Sequence, residues 1–268
     1  MVWGLARLLG GRVLLRLETH DQVRCRPEYV AAALEDLAWL GFEPDEGPVD
    51  QHDATPYADA LAALRRLGLV YACTCSRRDW ATGSTGAPRY TGCCRDAGLA
   101  EATGRTLRLR VMPQAEAFTD ARGAVVQQDA AAGGDVILRD RDGLWSYHLA
   151  VTADDIRQQI DLVIRGADLI EATGVQVQLA RNLGRPVPPA YVHHALVTGS
   201  DGRKLSKSNR DTGVRDMRAG GASAAEVIGR AAYAAGLSGN ADAIAARAVA
   251  RLFETRAAAP HAVARILS

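Results

Sequence analysis

The sequence contains no long apolar run. Nothing in it approaches the roughly 20 consecutive apolar residues a helix needs to cross a bilayer, which excludes a helical membrane protein. The opening Met1-Val2-Trp3-Gly4-Leu5-Ala6-Arg7 lacks the basic region, uninterrupted apolar core and small-residue cleavage site of a secretory signal, so a cytoplasmic location is expected. Charge of one sign is also lacking: 32 Lys and Arg stand against 31 Asp and Glu, for a net +1. Without a strongly basic domain, any RNA contact has to come from a local arginine patch. Cysteine is sparse, and the five present are odd in number with four of them clustered. That pattern argues against a disulfide frame and for thiolate chemistry in a reducing compartment. No internal repeat is present, and the only compositional bias is alanine after Asn209. What remains, 268 residues with 48% hydrophobic and 24% charged, is an ordinary globular composition sufficient for one large domain or two small ones.

Along the chain, helical and strand patterns alternate. Met1 to Leu9 reads as the end of a helix, with Leu5, Leu8 and Leu9 on one face and Gly10-Gly11 as its stop. Arg12 to Leu17 reads as a strand that delivers Glu18-Thr19-His20-Asp21 to its carboxyl end, where an open α/β sheet keeps its site residues. Glu18 is then either a site carboxylate or the partner of a surface salt bridge. Pro27 suits a first helical position, and Val30, Leu34, Leu37 and Leu40 follow before Gly41. A second amphipathic helix runs from Pro56 to Gly68 with Leu61, Leu64 and Leu67. Next come Cys73-Thr74-Cys75 and, some twenty residues on, Cys93-Cys94. Two short loops of this kind can bring four soft ligands around a zinc ion, whereas unreactive thiols have no reason to cluster in pairs. Spacing leaves Cys93 and Cys94 as rival fourth ligands.

From Thr106 to Asp140 the period becomes two, with Leu107, Leu109 and Val111 alternating with arginines and further strands at Val125-Val126 and Val136-Ile137-Leu138. The arginines Arg105, Arg108, Arg110, Arg122, Arg139 and Arg141 are either phosphate contacts for RNA or the solvated outer face of a strand pair. Asp161 to Ile164 reads as a strand with Arg165 at its end, where a guanidinium suits either a bound carboxylate or a helix-start salt bridge. A crossover helix from Ala167 to Leu183 leads to a strand at Ala190 to Val197. His193 and His194, adjacent on that strand, point to opposite faces, so at most one of them contacts a nucleotide. Helices at Ala222 to Ala235 and Ala241 to Phe253, and a short one from Pro260, finish the chain.

The loop after the last strand carries Gly202-Arg203-Lys204-Leu205-Ser206-Lys207-Ser208-Asn209. Two lysines three apart with two serines, entered through Gly199-Ser200-Asp201-Gly202, offer several cationic and hydroxyl donors suited to a triphosphate. Lys204-Leu205-Ser206-Lys207-Ser208 resembles the lysine-serine signature of class I aminoacyl-tRNA synthetases. Leu144 to Ala150 and Val163 to Leu169 are similar to its glutamyl branch, and the cysteine pattern most resembles the glutamyl-queuosine tRNA(Asp) synthetases, which lack an anticodon-binding domain.

The resemblance covers Met1 to about Leu237. It implies an α/β, Rossmann-like class I synthetase catalytic domain with a zinc-bearing insertion and a short helical C-terminal tail. The expected divisions are residues 1–70 and 145–215 for the two parts of the nucleotide-binding domain, 71–144 for the insertion, and 216–268 for the tail. Lys204 and Lys207 are then catalytic, and bind ATP with Ser206 and Ser208. Glu18, Tyr147 and Arg165 bind glutamate, and Thr19 stands where an aspartate is usual. Cys73, Cys75, Tyr90 and Cys94 hold structural Zn2+. The implied activity is a ligase that activates L-glutamate with ATP and Mg2+ and passes it to queuosine of tRNA(Asp), working as a monomer. The class carries a first strand and a His-x-Gly-His-type ATP signature that these residues do not contain. The expectation is therefore that the chain lacks this N-terminal piece, by true loss or a misplaced start, and forms glutamyl adenylate below the normal rate. The alternatives are a non-catalytic RNA-binding protein built on the same fold and a fragment of a glutamyl-tRNA synthetase.

Overall fold

The computed structural model describes residues 1–19, 25–82, 88–120, 123–197 and 213–254. The chain forms two units, Met1–Gln51 with His194–Ser268, and His52–His193. In the first unit the helix Val2–Leu8 precedes the strand Leu14–Arg16, which pairs in parallel with Glu46–Val49. Asp45 ties the two segments together. Its carboxylate accepts from Arg7 at 2.8 Å and from the Val13 N–H at 2.7 Å. The helix Pro27–Leu40 begins at its proline and ends at Gly41 as its sequence predicts, with Val30, Leu34, Leu37 and Leu40 half-buried. Its Leu40 joins Ile228, Val249 and Phe253 in the apolar cluster of this unit.

The alanine-rich end differs from its expectation. A helix spans Ala224–Ala234, opened by a reciprocal cap between Ser223 and Glu226, but residues 241–253 do not continue as one helix. Only a 3-10 turn at Ala246–Ala248 and a short helix at Arg251–Glu254 appear. The reason is a close backbone approach: a Cβ on Gly229 would lie 1.9 Å from the Asp242 carbonyl oxygen, and the Ile244 N–H donates to Ala225 at 2.9 Å. The helix propensity of alanine is a few tenths of a kcal/mol per residue (~0.5) and yields to such packing.

The second unit is built on a three-stranded antiparallel sheet with Thr106–Leu109 at its centre, between Val70–Cys73 and Ile137–Arg139. One face packs on the helices Thr55–Arg66, Tyr147–Arg157 and Thr173–Asn182. Its core gathers Tyr57, Leu61, Leu64, Leu107, Leu109, Leu138, Leu149 and Leu179. Tyr57 also donates its hydroxyl to the fully buried Asp154 at 3.0 Å. The other face carries Tyr71, Cys73, Tyr90 and Cys94. Both faces are thus covered, and every residue of Thr106–Leu109 is buried. This corrects the reading of Arg108, which is neither a solvated outer residue nor an RNA contact: it is 2% exposed. Arg105, Arg110 and Arg139 spend donors on Ala100, Asp96 and Gly143 of the same unit. Arg122 lies outside the described residues.

A hairpin of Ala115–Thr119 and Val125–Asp129 and a pair of strands, Leu162–Gly166 with Ala190–His194, complete the unit. The expected crossover helix divides into a 3-10 segment, Ala167–Ala172, and an α-helix, Thr173–Asn182. Among the described residues no helix is long and apolar enough to cross a membrane.

Candidate functional site

Two polar centres stand out in the second unit. The first lies where the strand Val70–Cys73 runs out into Thr74-Cys75. Cys73, Cys75 and Cys94 place their sulfurs within 4.8 Å of one another, a spread that three thiolates around one tetrahedral ion would occupy. The Tyr90 hydroxyl sits against them, accepting from the Cys73 thiol at 3.4 Å and from the Cys94 N–H at 3.1 Å. Gly134 lets this segment in close: a Cβ there would lie 2.3 Å from the Tyr90 carbonyl oxygen. Cys93 is exposed and does not belong to the mutually close trio, although its sulfur is 2.9 Å from that of Cys75.

The thiols differ electrostatically. Burial acts to raise Cys94, but hydrogen bonds from the Thr74 N–H, the Cys75 thiol and the Thr74 hydroxyl outweigh it and bring the group down to about 6. Cys75 moves up, through burial and then through its thiol neighbours. Tyr90 is likewise raised by burial and by Cys73. One thiolate in a cluster resists the next until a cation is present. Three soft sulfurs and a phenolic oxygen converging from two loops fit a tetrahedral metal ion.

The second centre surrounds Arg165, at the end of the strand Leu162–Gly166. Its Nε donates to His193 Nε2 at 3.3 Å, one terminal nitrogen to Gln176 Oε1 at 2.6 Å, and the other to Thr173 Oγ1 at 2.9 Å. The Tyr191 ring lies 5.1 Å from the guanidinium carbon. All three partners are side chains without a carboxylate. Among the described residues no carboxylate lies within ion-pair distance of Arg165. The three bonds use three of the five guanidinium N–H groups. Gln176, 4% exposed, keeps its amide nitrogen without a partner among the described residues. His148 is brought down to about 4, by burial first and by the positive charge of Arg165 second. Tyr191 is raised to about 12, mainly by burial. The result is a cation held in a fixed plane by three side-chain partners, with donors to spare.

Tyr147 begins the helix Tyr147–Arg157, whose first turn is capped by Ser146, and its half-buried ring lies 6.1 Å from that of His148. Glu18 belongs to the first unit, exposed just beyond the strand Leu14–Arg16. Thr19, which takes the place of an aspartate, is buried and accepts from the Gln51 N–H at 2.9 Å. Lys204, Ser206, Lys207 and Ser208 lie outside the described residues. Sequence reasoning missed Thr173 and Gln176, whose i, i+3 spacing on one helix was the only available signal. It also missed Asp135, whose carboxylate accepts from Tyr71 at 2.7 Å and from the Val111 N–H at 2.9 Å behind the thiols.

Comparison with known proteins gives a consistent result. The family described as tRNA synthetases class I (E and Q), catalytic domain, matches residues 1–237. The glutamyl-Q tRNA(Asp) synthetase of Nitratidesulfovibrio vulgaris is 38% identical over 263 residues, covering 88% of this chain and 80% of that protein. That of Rhodobacter capsulatus is 40% identical over 247 residues, covering 83% of this chain and 88% of that protein. Among solved structures, a glutamate tRNA ligase from Elizabethkingia meningosepticum superposes with a TM-score of 0.62 at 22% identity, over 82% of this chain and 48% of that one. The glutamate-tRNA synthetase of Elizabethkingia anophelis gives 0.64 at 22% identity, over 82% and 49%. The chain thus spans about half the length of those structures, and their likeness speaks for the α/β fold alone. By family match and by relatives covered over most of their length, this chain belongs to the class I tRNA synthetases for glutamate and glutamine, and within them to the ligases of the glutamyl-Q tRNA(Asp) synthetase family.

Proposed function

We propose that the chain activates glutamate with ATP and transfers the glutamyl group to queuosine of tRNA(Asp), acting as a cytoplasmic monomer. In the first step a glutamate carboxylate oxygen attacks the α-phosphate of ATP, giving glutamyl adenylate and pyrophosphate. In the second, a queuosine hydroxyl attacks the activated carbonyl and AMP leaves. The protein supplies position and charge more than covalent chemistry. The observation that carries this reading is Arg165, whose guanidinium is held by His193, Gln176 and Thr173 and which, among the described residues, has no carboxylate within ion-pair distance. A bound carboxylate completes such a centre in fork geometry.

Tyr147 lines the same site, and Glu18 takes the amino group of the substrate. Lys204 and Lys207, with Ser206 and Ser208, serve the phosphates of ATP, whose magnesium ion neutralises charge on the departing pyrophosphate. Residues 1–70 and 145–215 form the nucleotide-binding domain, 71–144 the insertion and 216–268 the helical tail. Cys73, Cys75, Tyr90 and Cys94 hold a structural zinc ion that orders the loops of the insertion.

Exchange of labelled pyrophosphate into ATP tests the activation step. It should depend on glutamate and not on glutamine or aspartate, and Arg165→Ala should raise the half-saturating glutamate concentration on the order of a hundredfold, as expected for the loss of a bidentate charged contact. Equal stimulation by the other amino acids, or an Arg165→Ala protein with unchanged glutamate dependence, contradicts the reading.

A further inference from the structure

Arg108 is among the largest fully buried side chains of the chain. Its NH1 donates to the Asp135 carbonyl oxygen at 2.8 Å, and its Nε has no hydrogen-bond partner among the described residues. The buried carboxylate of that same residue is already taken: Asp135 accepts from Tyr71 and Val111 and pairs with Arg95 at 3.4 Å. Among the described residues Arg108 has no ion pair. An unpaired guanidinium in a low dielectric is strongly unfavourable. The groups that do face it are aromatic. Its guanidinium carbon lies 3.7 Å from the Tyr90 ring centroid and 5.5 Å from that of Trp80. Tyr90 in turn touches the thiol trio through its hydroxyl.

We propose that Arg108 is the buried counter-charge of the metal centre, a positioning residue that sets how tightly Cys73, Cys75, Tyr90 and Cys94 hold a divalent ion. The inference rests on the zinc reading above. Three thiolates around a divalent ion leave one negative charge, and a phenolate ligand adds another. A guanidinium on the face of the ligand's own ring offsets that charge without competing for its oxygen. Arginine suits the place better than lysine because its flat, weakly hydrated head stacks on aromatic rings. The dependence runs both ways, so the metal relieves the uncompensated cation in the sheet as the cation relieves the anionic centre.

Zinc affinity measured by competition with a chromophoric chelator tests this without reference to catalysis. Arg108→Met should weaken zinc binding by roughly tenfold to a hundredfold, the scale of losing a partner behind the ligands. On a Tyr90→Phe background, where the phenolate charge is gone, the same substitution should cost clearly less. Arg108→Lys keeps the charge and should lose less than Arg108→Met. Should Arg108→Met fail to fold, Arg108→Gln replaces it in both backgrounds, with the same expected losses and the same overturning results. Arg108→Met binding zinc as tightly as the parent, or losing the same factor in both backgrounds, overturns the proposal and leaves the zinc reading intact. A parent protein that takes up no zinc overturns both.

Discussion

Asp135 offers the sharpest test of how the insertion is held together. Its side chain is 4% exposed and receives the Tyr71 hydroxyl at 2.7 Å, the Val111 N–H at 2.9 Å and Arg95 at 3.4 Å. Asp135→Ala removes all three of these interactions at once. The Tyr71 O–H and the Val111 N–H then lose the acceptor they donate to, at about 1–3 kcal/mol each. Arg95 is partly exposed and keeps the Val111 carbonyl at 2.9 Å, so its loss adds at most about 1 kcal/mol. The expected total is about 2–7 kcal/mol, a large share of the ~5–15 kcal/mol that holds a typical domain folded. Asp135→Asn keeps the shape and one acceptor and should cost less than half as much. Urea unfolding followed by circular dichroism measures the difference as a shift in midpoint at constant slope. A control, Glu101→Ala, removes only the exposed ion pair with Arg65 and should cost less than about 1 kcal/mol. An Asp135→Ala protein within 1 kcal/mol of the parent (about the value of a single exposed pair) would refute the reasoning.

Three further outcomes are expected. Cys94→Ser should release bound zinc while Cys93→Ser keeps it, because only Cys94 belongs to the close trio; elemental analysis of the two proteins checks this, and metal lost from Cys93→Ser alone would reverse the assignment. Acid should destabilise the fold through His148: its folded value, about 4, lies below its ordinary 6.5, so the unfolded chain binds the extra proton. Stability present above pH 6.5 is then lost as pH falls toward 4, by up to about 3 kcal/mol, and a His148→Gln protein should show a flatter profile in denaturant titrations across that window. Lys207→Ala should lower the pyrophosphate-exchange rate by about two orders of magnitude with a smaller change in ATP affinity, on the scale of losing one preorganised charge donor; equal losses in both would make it a plain phosphate anchor.

Much of this arrangement is legible in the residues. The helix Pro27–Leu40 is announced by its proline, its apolar stripe and Gly41. The thiol cluster follows from two short loops of soft ligands. Arg165 is placed at a strand end by the run before it. What escapes is what depends on a second covered face. Arg108 alternates with leucines, as an outward residue would, and only the packing of Tyr90 and Trp80 over the sheet turns it inward. Thr173 and Gln176 look like the polar side of a helix until Arg165 arrives from a different strand. Ala115–Thr119, with little β propensity of its own, becomes a strand by pairing residue for residue with Val125–Asp129. The alanines after residue 240 favour a helix locally, and the close approach of Asp242 to the open face of Gly229 keeps them from forming one continuous helix.

The most direct test of the account is the identity of the acceptor. Labelled glutamate and ATP are supplied with tRNA(Asp) carrying queuosine, the same tRNA with guanosine at that position, and tRNA(Glu), and the acid-precipitable label is compared as a ratio that does not depend on the absolute rate. The account predicts label on queuosine-bearing tRNA(Asp), released by mild alkali, and background on the other two. Label on tRNA(Glu), or equal label on tRNA(Asp) with and without queuosine, would contradict it.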